Sequence, residues 1–304
     1  MMTSPYRIGI DGRGQEIDSA AGRSALPLRN RARLRSDGAD DPLSSSHLDV
    51  SSELGRRVYA AGALVLGLSQ LAFGDFATNW EPVQSGVPYR MILSYLTGVL
   101  LVVGGACVWS RLTVRIGAVI LGVIHLAFAL LWLPRVIGFP QIYGTWGGML
   151  EELAPATGAL VLYGMYTSDA ARGERLAQIG RYAFGICALS FGIEHFTAIP
   201  QTAEMVPTWI PGSGRFWAIA TGLFHALAGV AILTGILATL GARLLAAMLI
   251  AFGIVIWLPR IFAAPHVHAT WAGNGVNLIV AGTAWVVADW LARRDRYHGA
   301  PTPE

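Results

Sequence analysis

Residues 132–148 read WLPRVIGFPQIYGTWGG, and residues 257–273 read WLPRIFAAPHVHATWAG. The two stretches share the pattern W-L-P-R-x4-P-x4-T-W-x-G at an offset of 125 residues. A pattern of that length does not recur by chance, and self-similarity at a fixed period decides how the rest of a chain is read. Further matches follow at the same offset. Gly55-Arg56 pairs with Gly180-Arg181, Ala63-Leu64 with Ala188-Leu189, Gly67 with Gly192, and Arg90 with Arg215. Thr97-Gly98 pairs with Thr221-Gly222 after a one-residue slip.

The material between these landmarks is apolar. Of 304 residues, 54% are hydrophobic and only 13% charged, about half the charge of an ordinary soluble chain, which is about 25%. Seventeen of the charged residues fall in Met1 to Arg57, so the remainder is poorer still. A water-soluble globule cannot cover itself with so little charge. The composition excludes a soluble enzyme, a nucleic-acid binder and a disulfide scaffold; what remains is a protein whose partner is the lipid bilayer. Cys107 and Cys187 sit singly in apolar runs, outside any C-x-x-C pattern, and read as inert buried thiols.

A helix needs about 20 apolar residues to cross hydrocarbon. Eight stretches qualify: 58–76, 91–109, 114–132, 147–166, 182–199, 216–238, 242–258 and 271–291. Tryptophans such as Trp80, Trp109, Trp132, Trp257 and Trp271 fall outside the stretches or near their ends, as in an interfacial aromatic belt. Counting arginines by loop puts eighteen on one side and four on the other, with no lysine anywhere. That asymmetry predicts both termini in the cytoplasm of a bacterial inner membrane. The expected organisation is a disordered tail over 1–53 without a secretory signal, a four-span repeat over 54–168, a second over 179–292, and a tail over 293–304. Four spans per repeat is an even number, so the repeats are parallel. The fold class expected is an all-α membrane protein of eight transmembrane helices, arranged as two parallel four-helix repeats.

The second unit carries further residues: Glu194-His195-Phe196 at the end of its first span, Met205-Val206-Pro207, Trp209-Ile210-Pro211, then Phe216-Trp217 and Thr221-Gly222. In this it resembles the DoxX family of small four-helix membrane proteins. The first unit resembles that family more weakly, with Gln70 in the place of His195 and no M-V-P…W-I-P run. The resemblance implies association with quinone-linked redox systems and with redox partner proteins, and does not fix one activity.

Ionisable side chains inside a span are costly and mark candidate sites. Glu151, Glu152, Glu194, His195, His125, His225, Asn274 and Asn277 all fall in the halves nearer the arginine-poor side. All four arginines of that side are repeat-related: Arg90 with Arg215, Arg135 with Arg260. The candidate is an outward-facing polar pocket of Arg135, Arg260, Glu151, Glu152, His195 and His225, with Asn277, Arg90 and Arg215 beside it. A guanidinium fork suits a carboxylate, phosphate or carbonyl ligand; equally, Arg135 and Arg260 can snorkel to headgroups or clamp loop carbonyls. One of the two glutamates can pair with Arg135 or Arg90, or serve proton transfer. Glu152 aligns with Asn277, so the halves are chemically unequal there. Quinone is the cofactor this pocket would suit. Haem between His125 and His225 is the weaker idea, because isolated helical histidines usually hydrogen-bond neighbours. No metal, nucleotide or di-iron motif is present. Three functions stay open: an accessory redox component, a small-molecule or lipid transporter, and a ligand-free scaffold.

Overall fold

The computed structural model describes residues 42–299, with side chains over 53–296. The tail expected over 1–53 lies outside the described residues as far as 41. The remainder of it belongs to a helix. Among the described residues there is helix and no strand. The long elements are α1 (Pro42–Phe73), α2 (Arg90–Trp109), α3 (Val114–Leu131), α5 (Tyr143–Tyr166), α6 (Ala170–Thr197), α8 (Gly214–Thr234), α9 (Ala238–Phe252) and α11 (His268–Gly299). Short helices α4 (Leu133–Gly138), α7 (Ile199–Met205) and α10 (Leu258–Ala263) fill three of the connections. Six segments are long and apolar enough to cross a membrane: Arg90–Trp109, Val114–Gly138, Ala170–Thr197, Gly214–Thr234, Ala238–Ala263 and His268–Arg296. The chain is thus an all-helical protein with the build of a multi-pass membrane protein.

The two W-L-P-R stretches interrupt helices. Pro134 and Pro259 lack the N–H that a helix interior requires, and the backbone adjusts just before each. Trp132 forms a turn between α3 and α4. Before Pro259 the chain widens into a π-helical turn, Gly253–Trp257, in which the Leu258 N–H bonds the Gly253 carbonyl. Such turns re-satisfy backbone groups near a break. The stretch 242–258, read as a short span, therefore continues through the turn and α10 to Ala263.

Helix association in lipid depends on close packing rather than on the hydrophobic effect. A Cβ added at Gly62 of α1 would come within 2.5 Å of the Ile279 backbone of α11, and one at Gly282 of α11 within 2.3 Å of the Tyr59 backbone of α1. So α1 and α11 touch backbone to backbone. Helices α5 and α6 meet as closely, Gly164 against Gly173. Where α5 meets α11, Gly158 lies against Thr283, 125 residues on.

Other contacts recur at the same offset, with the acceptors of the first pair shifted by the one-residue slip. Buried Arg56 donates to the carbonyls of Val108 and Trp109, while buried Arg181 donates to those of Ile232 at 2.7 Å and Leu233 at 3.4 Å. The Trp146 indole donates to Pro140 at 3.1 Å, and that of Trp271 to Pro265 at 2.9 Å. Thr145 and Thr270 donate to Ile142 and Val267, both at 2.8 Å. We call the end of the bundle that carries Trp132 and Trp257 the upper end, and that of Arg56 and Arg181 the lower.

Candidate functional site

Buried polarity near the upper end falls into two groups. The first is built by α3, α5 and the connection 74–89. His125 on α3 and Glu152 on α5 are both fully buried, with Nδ1 and Oε2 2.9 Å apart. Phe128 meets the His125 ring edge-on at 6.5 Å. Among the described residues, the second nitrogen of His125 and the second oxygen of Glu152 have no hydrogen-bond partner. A buried polar atom left unpaired costs about 1–3 kcal/mol, and such atoms are where a ligand would be held.

The connection 74–89 dips into this group. Phe76, Ala77, Trp80 and Glu81 are buried, whereas Thr78, Asn79 and residues 84–86 are exposed. A buried connection must satisfy its own backbone. Glu81 Oε2 accepts the Ala77 N–H at 2.8 Å, and the Trp80 carbonyl accepts the Trp132 indole at 3.1 Å. Trp80 also packs edge-on against Trp257. Glu81 stands within electrostatic range of Glu152 and keeps its Oε1 unpaired. Burial, reinforced by Glu152 and Asp75, pushes its carboxyl up to about 8 despite the Ala77 bond and the Arg90 charge. The sequence reading passed over Glu81. A lone carboxylate in a connection has no periodicity to betray its burial; its only signal was Trp80 beside it.

The second group lies between α6 and α8. The His195 and His225 rings are 5.1 Å apart. His195 is anchored at Nδ1 by the Phe191 carbonyl, 2.8 Å away. His225 is buried among Phe191 and Phe252, its Nδ1 unpartnered. One residue past Phe252, Gly253 opens the π-helical turn, and Asn274 and Asn277 both approach it. Asn277 donates to the Leu249 carbonyl at 2.9 Å.

The arginines do not join these groups as expected. Glu152 pairs with His125, not with Arg135 or Arg90. Arg135 lies over the Trp132 ring at 4.7 Å and Arg260 over Trp257 at 5.7 Å; neither makes an ion pair among the described residues. Arg90 is taken up by Asp75 at 2.7 Å, by the Val83 and Gln84 carbonyls and by the Phe76 ring. Arg215 is exposed. Glu151 is within reach of the Trp80 indole, and the Glu194 carboxylate lies against Gly147. His125 pairs with Glu152, whereas His225 lies beside His195, Phe191 and Phe252. Among the described residues, no cluster of three or more metal-ligating side chains occurs.

A sequence family described as a domain of unknown function (DUF8561) matches residues 184–269, from within α6 to the start of α11. This match takes in the His195–His225 pair and the π-helical turn, but not Glu81, His125 or Glu152. No curated protein and no solved structure matches the chain.

Proposed function

We propose that the chain is an eight-span protein of the bacterial inner membrane, resembling two DoxX units in tandem, and that it is an accessory component of a quinone-linked redox system. Recurrence of the Arg56 and Arg181 contacts at the sequence offset supports the tandem reading, with 54–168 and 179–292 as the two units. The arginine split supports cytoplasmic termini and an outward upper end.

The observation that carries the functional reading is the His125–Glu152 pair, buried, with one unpartnered polar atom on each member. A quinone carbonyl needs a donor and a quinol hydroxyl needs an acceptor; an imidazole and a carboxyl supply both. Phe76 and Phe128, edge to face at 6.2 Å, provide apolar wall nearby. A quinone, when bound, supplies two-electron, two-proton redox chemistry. The residues here hold and orient: His125 Nδ1 and Glu152 Oε2 share a proton while His125 Nε2 and Glu152 Oε1 remain available to a ligand.

The test is purification of the full chain in mild detergent, extraction of what accompanies it, and mass spectrometry beside an absorption spectrum. Quinone in near-stoichiometric amount, lost in H125A and E152Q, is the expected result. Phospholipid alone overturns the reading. A transporter for small molecules or lipid is the second reading, favoured by the helix interruptions at Trp132 and Gly253–Trp257, the latter beside Asn274 and Asn277. Cysteine labelling that reaches positions along both halves of α3 and α9 would favour it.

A further inference from the structure

The His195–His225 pair stands on a helix crossing that the chain contains twice. In the second unit a Cβ added at Gly192 would meet the Gly222 carbonyl at 2.8 Å. In the first, a Cβ added at Gly67 would meet the Gly98 carbonyl, also at 2.8 Å. Three residues past each of these four glycines stands a side chain of the crossing. The first unit has Gln70 and Leu101 there, both fully buried, with Gln70 donating to Thr97 at 2.7 Å. The second has His195 and His225. One crossing is thus packed in two ways, and a glutamine with a leucine suffices to pack it. The imidazoles answer some other demand.

Their hydrogen bonds show which. The Phe191 carbonyl can only accept, so His195 Nδ1 carries the proton and Nε2 of the neutral ring keeps the lone pair. A metal-bound histidine is held in this way, its other N–H on a backbone carbonyl, which fixes tautomer and ring direction. His225 is 2% exposed, and its Nδ1 has no hydrogen-bond partner among the described residues. A nitrogen left unpaired beside Phe191 and Phe252 is costly. The ring centres are 5.1 Å apart. An imidazole nitrogen binds a metal ion at about 2 Å, which sets each ring centre about 3 Å from it, so two such ligands at a bent angle of about 110–120° have centres about 5 Å apart.

We infer that His195 and His225 together bind a monovalent copper ion at the crossing of α6 and α8. Imidazole suits copper. Both donors are neutral, and a dry aromatic surround tolerates one positive charge better than two. The neighbouring carboxylate, Glu194, lies against Gly147 of α5. Two protein nitrogens leave the ion a coordination position for a donor from outside the chain, as in sites that exchange a ligand rather than closed structural ones. The inference does not rest on the quinone reading, whose residues belong to the other group.

The experiment is titration of the full chain in mild detergent, without oxygen, against Cu(I) held by a chromogenic chelator. The parent chain should draw one Cu(I) per chain from the chelator. H195Q and H225L write the first unit's residues into the second, where the same crossing accepts them. Each should weaken uptake by more than the loss of an outer-shell partner does, which is about tenfold. X-ray absorption of the loaded parent should show nitrogen neighbours with the outer scattering of imidazole. Absence of uptake, uptake unchanged in either variant, or sulfur neighbours overturns the inference. Should one variant not fold, the other and the absorption spectrum decide by the same criteria. Displacement by equimolar Zn(II) overturns the choice of a monovalent ion. H125A and E152Q should bind copper as the parent does, so failure of the quinone reading leaves the copper result standing.

Discussion

Arg56 and Arg181, 125 residues apart, each turn a buried guanidinium onto the last carbonyls of a later helix. Arg56 takes Val108 and Trp109 at the end of α2; Arg181 takes Ile232 and Leu233 at the end of α8. The last carbonyls of a helix have no partner within it, and burial removes the water that would serve. A planar, permanently charged donor fork answers two of them at once. Glu53 braces Arg56 and also gathers Arg57 and Arg111.

Removal of either arginine should therefore loosen one end of the bundle. R181A is expected to cost about 1.5–3 kcal/mol, the range for hydrogen bonds to a charged donor, read as a lower melting temperature in detergent. R181K should recover little, because an ammonium lacks the fork. R56A should behave likewise.

The tryptophans of the two W-L-P-R stretches each require a glycine opposite. A Cβ at Gly148 would lie 2.5 Å from the Trp132 ring, and one at Gly273 would lie 2.3 Å from Trp257 and 2.8 Å from Trp80. Indole rings wedged between helices cannot yield cheaply. G148A and G273A should each destabilise by about 1–3 kcal/mol, as overpacking does. Gly138 has nothing within 4 Å of its added Cβ, so G138A serves as the silent control in the same melts.

Glu81 predicts a pH dependence. Its carboxyl, raised by burial to about 8, holds a proton in the folded state that the unfolded chain releases near its ordinary value of 4.5. Between those values the folded state binds more protons, so stability falls as pH rises. The contribution is full below 4.5 and is lost as pH passes about 8. Melting temperatures from pH 4.5 to 8.5 should decline in the parent chain, with a visibly smaller slope in E81Q. Equal slopes would contradict the assignment.

The His125–Glu152 pair should show the asymmetry of buried pairs. H125A strands a carboxyl without its partner in a dry interior and should cost about 3–5 kcal/mol. E152Q keeps the shape and a hydrogen-bonding oxygen and should cost about 1 kcal/mol. Adding E152Q to H125A should recover part of the loss, since no group is then left able to carry a stranded charge. Denaturation of the three variants in one detergent checks the order.

Some of this was legible beforehand. Long apolar runs state their helicity directly, because in lipid the backbone must bond within its own segment. The stretches 114–132 and 242–258 stop short of Pro134 and Pro259, but nothing in them told that the second continues through a π-helical turn to Ala263. Pairing of Trp146 with Trp271 and of Arg56 with Arg181 was visible as an offset, although their contacts were not. The extent of α6 was less legible. It begins at Ala170, well before the apolar stretch at 182, because Asp169 caps it by accepting the Arg172 N–H at 2.9 Å.

The sequence by itself determined the helical class, the apolar surroundings and the crowding of ionisable residues toward one end. Each of these depends on residues near one another in the chain. Tertiary structure alone decided which of those residues meet. Charge type pointed one of Glu151 and Glu152 toward Arg135 or Arg90. The structure turns Glu152 to His125, because an imidazole can enter a dry interior neutral, whereas a guanidinium is buried with its charge, at Arg56 and Arg181 onto helix-end carbonyls. Arg135 stays at the rim, over its own Trp132, and Arg90 stays with Asp75. Glu81 shows the same rule from the other side. Apart from Trp80, nothing adjacent to it in the chain implied burial. A connection folded under Trp132 and Trp257 carried it inside, where a carboxyl can rest as an acid.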